Sequence, residues 1–286
     1  MTAIELQNLT HVYSPGSAFE KIAVESVNLK IACGEMVAII GHTGSGKSTL
    51  IQHLNGLLKP TSGRVLLHGE DIHADKAKLK SVRRRVGLVF QYPEHQLFES
   101  TIYKDVAFGP MRMGLPESEV SGRVKAALDI VGINKHLYEK SPFEISGGQK
   151  RRVAIAGVLA MRPEVLVLDE PAAGLDPGGK DEILTQVKHM HASLGITVIL
   201  VSHSMDDVAR LSHRIFVMNK GKLMCEGSPA QVFSEAELLK SVGLDVPQIS
   251  QVFTELNKKN PGIPTGVFSV EDAARILTDM YRGRNA

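Results

Sequence analysis

Three absences narrow the reading of this chain. Cysteine is nearly missing: Cys33 and Cys225 are the only two among 286 residues, too few for a disulfide framework or a thiolate metal site. An excess of one charge is missing too, because 33 Lys and Arg oppose 31 Asp and Glu for a net charge of +2. No broad basic field is forced on the surface, which argues against nucleic acid as a partner. Long apolar runs are also lacking. None approaches the ~18 residues that mark a membrane span, and "MTAIELQNLTHVYS" shows no basic stretch followed by an apolar one, as a secretion signal would. The expected place of action is the cytosol, dissolved or docked on something.

What is present fits a globular protein. Apolar residues make up 43% and charged residues 22%, close to globular averages. The length suits one large domain, or one domain with an appendage. "SVNLKIA" alternates like a half-buried strand, whereas "MVAII" (Met36–Ile40), "VLVLDE" (Val165–Glu170) and "TVILVSH" (Thr197–His203) are continuous runs suited to strands buried on both faces. "GKDEILTQVKHMHASLG" reads as a crossover helix between the last two, which implies parallel strands. Leu50, Ile51, Leu54, Leu57 and Leu58 follow helical spacing until "KPTSG" ends the run. From about 91 to 161 helical spacing dominates, so a helical subdomain is expected between strands. "RIFVMNKGKLMCEG" reads as a hairpin around Asn219-Lys220-Gly221, though not as a strict two-residue turn.

After about Ser228 the pattern changes. Val246, Ile249, Val252, Phe253 and Leu256 fall on one helical stripe. Ser269 with Asp272 resembles a capping box, and Ala273, Ala274, Leu277 and Tyr281 line one face of the helix it would open. The division expected is a main α/β domain at 1–228 and a C-terminal helical region at 229–286.

Chemistry concentrates in a few places. Gly41-His42-Thr43-Gly44-Ser45-Gly46-Lys47-Ser48, with Thr49 next, matches G-x-x-x-x-G-K-[ST] between a strand and a helix. Such a loop turns backbone N–H groups toward phosphate oxygens; the Lys supplies a point charge and the Ser hydroxyl a Mg²⁺ ligand. Asp169 and Glu170 end a buried strand, where a carboxylate needs a partner. Mg²⁺ is one candidate, with Glu170 polarising an attacking water; capping of a following helix is the plainer alternative. His203 ends a second buried strand, on the edge where parallel sheets bind ligands. Gln91 offers a neutral amide for Mg²⁺ or water, and Tyr13 an aromatic face for adenine. Arg83-Arg84-Arg85 reads as a solvated basic edge. Ser146-Gly147-Gly148-Gln149 places two glycines at the start of an apolar-periodic helix, a second backbone anion site.

These residues together resemble the ATP-binding-cassette ATPases: Tyr13, "GHTGSGKS", Gln91, "SGGQ", "VLVLDE", "GLDP" (Gly174–Pro177) and His203, in that order over nearly all of the first 228 residues. The resemblance implies an α/β P-loop ATPase with an N-terminal antiparallel β region, an inserted helical subdomain and a small C-terminal helical appendage. It implies ATP and Mg²⁺ as cofactors, with each nucleotide sandwiched between two subunits. Lys47 and Ser48 would grip phosphate and Mg²⁺, Asp169 and Gln91 would support the metal, Glu170 would be the general base and His203 the switch histidine. Ser146, Gly147, Gly148 and Gln149 would close over the partner's nucleotide, and Asp176 would cross the dimer interface.

A narrower resemblance lies in "FQYPEHQLFESTIYKDVAFGP" and "GLDVPQISQVFTEL", which look like the second of two ATPase paralogues in energy-coupling factor transporters. It implies a second, similar ATPase as partner (an unlike chain first, its own copy second), an integral-membrane coupling subunit and a substrate-capturing membrane subunit. The chain would then sit on the cytoplasmic face of a bacterial or archaeal cell membrane, energise uptake of a micronutrient such as a vitamin, and use its C-terminal region for extra dimer contact. An apolar groove around Tyr92, Leu97, Phe98 and Phe108, edged by Glu94, Glu99 and Asp105, is expected to receive a basic amphipathic helix of the coupling subunit. Cobalt or nickel import is the alternative within transporters. A soluble cassette acting on nucleic acid or the ribosome, and a nucleotide-regulated module without turnover, are the rivals outside it.

Overall fold

Alternating burial builds the first layer. The computed structural model describes residues 1–284. Its chain opens with Thr2–Tyr13 (β1), Lys21–Ala32 (β2), Met36–Ile40 (β3), Lys47–Leu54 (α1), Ser62–Leu67 (β4) and Glu70–Asp71 (β5). β1, β2, β4 and β5 form an antiparallel sheet in the order β2-β1-β4-β5, turning Ile4, Leu6, Leu9, Val24, Val27 and Val65 inward.

The continuous apolar runs form the second sheet. Leu79–Arg85 (α2), Val86–Val89 (β6), Ile102–Arg112 (α3), Glu117–Ile130 (α4), Gly147–Leu159 (α5), Val165–Asp169 (β7), Pro177–Leu194 (α6), Thr197–Val201 (β8), Met205–Leu211 (α7), Arg214–Asn219 (β9) and Lys222–Gly227 (β10) follow. The sheet order is β10-β9-β3-β8-β7-β6. Only β9 and β10 pair antiparallel; β9, β3, β8, β7 and β6 run parallel. Every residue of β3, β7 and β8 is buried. Alternate side chains serve opposite faces: Val37, Ile39, Val165 and Val167 pack under the antiparallel sheet and α1, while Leu166, Leu168, Val198 and Leu200 pack against the helices on the other side. Each such side chain contributes about 1.5–3 kcal/mol on burial. Because the strands are parallel, their C-terminal ends share one edge, and the loops after β3, β7 and β8 meet there.

Several local expectations change. α1 ends at Leu54, earlier than the leucine spacing suggests. Gly56 takes a positive φ of 68°, and Leu57 is exposed beyond it. The β9–β10 turn is a two-residue loop, because Asn219 pairs with Lys222 and both Lys220 and Gly221 have positive φ, as a type I′ turn requires. Arg83 and Arg85 are not merely solvated. Arg83 donates to the Gly56 carbonyl at 3.1 Å, and Arg85 grips Glu164 with two hydrogen bonds.

Four helices close the chain: Pro229–Ser234 (α8), Ala236–Ser241 (α9), Gln248–Lys259 (α10) and Val270–Arg284 (α11). Val232, Phe233, Leu239 and Leu244 share a core with Ala38 and Ile40 of β3, so this stretch packs under the strand that feeds the phosphate loop. Phe253, Ile263, Val267 and Ala273 make a separate small core. In α10, Phe253, Ile249 and Leu256 face it, but Val252 is exposed and Val246 precedes the helix. Ser269 does cap α11, accepting from the Asp272 N–H at 3.1 Å. Its inward face is Ala273, Ile276 and Met280; Ala274, Leu277 and Tyr281 are exposed.

Candidate nucleotide site

The loop between β3 and α1 curls because its glycines must be glycines. Gly46 has φ 102° and abuts the Ala23 carbonyl, where any Cβ would collide. At its centre the Lys47 ammonium donates to the Gly41 carbonyl at 2.6 Å and the His42 carbonyl at 3.1 Å. Burial lowers the Lys47 pKa, while Glu170 and Asp169 oppose that shift. The Ser45 hydroxyl is buried within the loop without a hydrogen-bond partner. His42 is held by Asn219 at 3.0 Å, and the Tyr13 hydroxyl meets Thr49 Oγ1 at 3.2 Å.

These groups border one cleft of about 680 Å³. Tyr13, Gly41, His42, Thr43, Gly44, Gly46, Lys47, Ser48, Thr49, Gln91, Asp169, Glu170 and His203 all line it; Ser45 lies beneath. Thus every predicted residue of the phosphate, carboxylate and histidine set converges at the sheet edge.

Asp169 is buried at the end of β7. Burial first, and the Glu170 charge second, push its carboxyl up to about 6, against the pull of Lys47. Two adjoining carboxylates with one lysine favour a further cation, and the Ser48 hydroxyl, the Gln91 amide and Asp169 are oxygen donors of the kind a hard divalent ion takes. Glu170 sits at φ 50°, a backbone strain that functional sites tolerate. Its Oε2 lies 2.8 Å from His203 Nδ1, with the histidine side chain 72% exposed and the glutamate 14%. A largely shielded carboxylate beside an exposed imidazole is an arrangement that can hold and orient water.

Ser146, Gly147, Gly148 and Gln149 do not line this cleft. They cap α5 elsewhere: the Ser146 hydroxyl accepts from the Gln149 N–H at 3.3 Å, and Gln149 Oε1 accepts from the Ser146 N–H at 3.0 Å. Nothing lies within 4 Å of a Cβ built on Gly147 or Gly148. Asp176, at the start of α6, is exposed and makes no capping bond with its side chain.

Three features escaped the sequence reading. Arg151 of α5 is only 1% exposed and pairs with Glu94 through bonds of 2.6 and 3.0 Å. It also donates to the Pro171 and Ala173 carbonyls at 3.0 and 2.7 Å, so one guanidinium ties the signature helix to the segments after Gln91 and Glu170. Burial would raise the Glu94 carboxyl, but Arg151 outweighs it and holds it low. Lys180 bridges Asp207 and Ser204 behind His203. Gly243 and Leu244, from the C-terminal part, complete the cleft wall.

The Arg151 pair corrects the expected acidic groove. Glu94 faces inward, and the Asp105 carboxylate is taken by the Phe98 and Glu99 N–H groups, each at 2.9 Å. A groove of about 740 Å³ does run past Leu97, Phe98, Phe108, Met113 and Met161, but Tyr92, Glu94 and Glu99 do not line it, and Lys76, Lys80, Arg83, Arg84 and Arg112 border it.

Comparison with known proteins decides the family. The family model described as ABC transporter matches residues 24–173. Over 99% of this chain and 98% of the relative, 54% of residues are identical to the energy-coupling factor transporter ATP-binding protein EcfA2 of Clostridium tetani. The chain belongs to the energy-coupling factor transporter ATP-binding proteins. The family's Clostridium perfringens member is 52% identical over 99% of this chain and its own full length. Among solved structures, cbiO1 of Clostridium perfringens, described as part of the ABC transporter complex cbiONQ, superposes with a TM-score of 0.76 at 43% identity, covering 88% of this chain and 98% of that one. The ATP-binding cassette MJ0796, solved as a dimer bound to ADP and Pi, gives 0.70 at 30% identity over 79% of this chain and 98% of its own. The fold expected from the motifs, a P-loop ABC cassette with an antiparallel N-terminal sheet, is the fold found. The chain is an ABC-type ATPase, and it energises an energy-coupling factor importer.

Proposed function

We propose that this ATPase powers uptake of a micronutrient, a vitamin first, by closing and opening against a second ATPase on the cytoplasmic face of the membrane. The observation that carries the reading is the incomplete cleft. Phosphate loop, carboxylates and His203 converge in one place, while Ser146–Gln149 point elsewhere with their glycines open. A second chain offering its own turn would complete each site, and Asp176 is exposed where such a chain would pass. Among the described residues no helix is long and apolar enough to cross a membrane, so membrane attachment would come through partners.

Within the cleft, Tyr13 stacks on adenine and Lys47 neutralises phosphate. Ser48, Asp169 and Gln91 are the residues that would hold Mg²⁺, which supplies charge neutralisation to the phosphates. Glu170 takes a proton from the attacking water. His203, with Nδ1 2.8 Å from the Glu170 carboxylate, would steady its orientation and reach toward the γ-phosphate. The apolar groove with exposed Phe98 and Phe108 receives a segment of the integral-membrane coupling subunit; aromatic anchors of this kind dominate such contacts. The exposed Ala274, Leu277 and Tyr281 of α11 support a dimer contact by the C-terminal region.

Pull-down from membranes with mass spectrometry tests the reading. The expected partners are a second ATPase, a hydrophobic coupling subunit and a substrate-capturing membrane subunit, with the hydrophobic partners lost on joint Phe98→Ala and Phe108→Ala substitution. Co-purifying RNA or DNA without a membrane protein would overturn it.

A further inference from the structure

A second constellation of reactive groups sits at the other end of the parallel strands. Cys33 is exposed in the turn between β2 and β3, with Sγ 3.8 Å from Nδ1 of His68 in the β4–β5 turn. The far ring nitrogen, Nε2, lies 2.6 Å from Oε2 of Glu164, just before β7. Arg85 closes on the same carboxylate, Nε to Oε1 at 2.7 Å and Nη2 to Oε2 at 3.1 Å. The Arg85 hydrogen bond is the main reason the Glu164 carboxyl stays below its usual range.

The hydrogen positions follow from this geometry. An ionised carboxylate only accepts, so Nε2 carries the ring hydrogen and Nδ1 turns its lone pair to the thiol. A weak nucleophile, a base within reach and a third group orienting that base is the arrangement that activates nucleophiles in general. None of the three lines the nucleotide cleft. Nor is it a metal cage: Glu164 is committed to Arg85, and among the described residues no group of three or more His, Cys, Asp or Glu could hold an ion. Cys225 offers the internal contrast, since it is only partly exposed in β10 and burial, then Glu235, push its thiol up.

We propose that Cys33, His68 and Glu164 form a thiol site that exchanges with small-molecule disulfides. His68 Nδ1 takes the Sγ proton as Sγ attacks one sulfur of the disulfide. A Sγ–S bond forms, the original S–S bond breaks, and the departing thiolate collects the proton from His68 and leaves as a thiol. Cys33 is oxidised and the departing half is reduced, so electrons balance without a further reagent. Glu164 is a positioning residue that fixes the ring tautomer. The adduct would stand at the seam where the antiparallel sheet is pinned to the start of β7, far from ATP.

The full-length chain with oxidised glutathione tests this, with adducts at each cysteine followed by peptide mass spectrometry. Cys33 is expected to react faster than Cys225. His68→Gln slows Cys33 about threefold or more near neutral pH, and the gap closes above about pH 9, where thiols ionise unaided. Glu164→Gln slows it in the same pH range by a smaller factor. If circular dichroism shows His68→Gln misfolded, the pH–rate profile of the unsubstituted chain is compared with that of a free cysteine peptide: a limb at lower pH than the peptide's supports assistance, and a profile coincident with the peptide's overturns it. Equal Cys33 rates in the folded His68→Gln chain at every pH, or Cys33 no faster than Cys225, also overturn it.

Discussion

Two glycine turns open two helices in this molecule, and they are built oppositely. The turn before α1 is crowded: Gly46 is hemmed in by the Ala23 carbonyl, Lys47 is bonded to the loop's own carbonyls, and carboxylates face it from β7. The turn before α5 is open: a Cβ built on Gly147 or Gly148 meets nothing within 4 Å, and its side-chain contacts are those of its own capping box. A phosphate cradle must be rigid before its ligand arrives, because preorganised N–H groups bind without first paying for ordering. A lid that closes from another chain needs instead an uncluttered face. The difference fits the proposal that one turn serves the chain's own nucleotide and the other a partner's.

The largest effect expected is at the crowded site. Glu170→Gln keeps the shape of the side chain and its place beside His203 but removes the proposed base; turnover should fall roughly 10²–10⁴-fold with ATP binding retained, read by steady-state hydrolysis and equilibrium binding. Unchanged hydrolysis would remove Glu170 from its role. Next comes pH. Burial, then the Glu170 charge, push the Asp169 carboxyl up to about 6, above its unfolded value, so below that pH it carries a proton that a bound metal would have to displace. Mg²⁺-dependent ATP affinity should therefore weaken as pH falls through 6, by up to about tenfold per unit below it, while Mg²⁺-independent affinity changes less. Flat Mg²⁺ dependence between pH 5 and 7 would detach Asp169 from the metal. Smallest is Tyr13→Ala, which removes a stacking face worth about 1–3 kcal/mol and should raise the ATP Kd without altering kcat. A matching loss of kcat would place Tyr13 nearer the chemistry.

The crowded turn was fully legible in sequence, and the reason is physical. Gly41–Ser48 needs its residues at fixed spacing because the chemistry is made by consecutive backbone groups, and Met36–Ile40 beside it needs continuous apolarity because both faces are buried. Glu170 and His203 were legible because they end such runs. Arg151 was not, since nothing in "GGQKRRVAIAGVL" marks its pairing; Arg152 beside it is buried as well, and only the arrival of Glu94, Pro171 and Ala173 gives Arg151 its role. The same holds for the acidic groove: Glu94 and Asp105 were in the right region but spent on internal bonds. In α11 the spacing allowed two faces, and the one with Ile276 and Met280, rather than Leu277 and Tyr281, won the contact with Phe253. Gly243 and Leu244 at the cleft wall depend on a chain path that no local pattern encodes.

On the proposed function, the open turn serves a nucleotide held by another chain. Gly148→Asp tests it most directly, in the assembled ATPase pair with the partner unsubstituted, because the position has room for a side chain and the fold should survive. Site-resolved single-turnover hydrolysis should show ATP still bound at this chain's own Lys47 loop, with hydrolysis lost at the partner's loop. Loss at this chain's own loop with the partner's site intact would contradict the account.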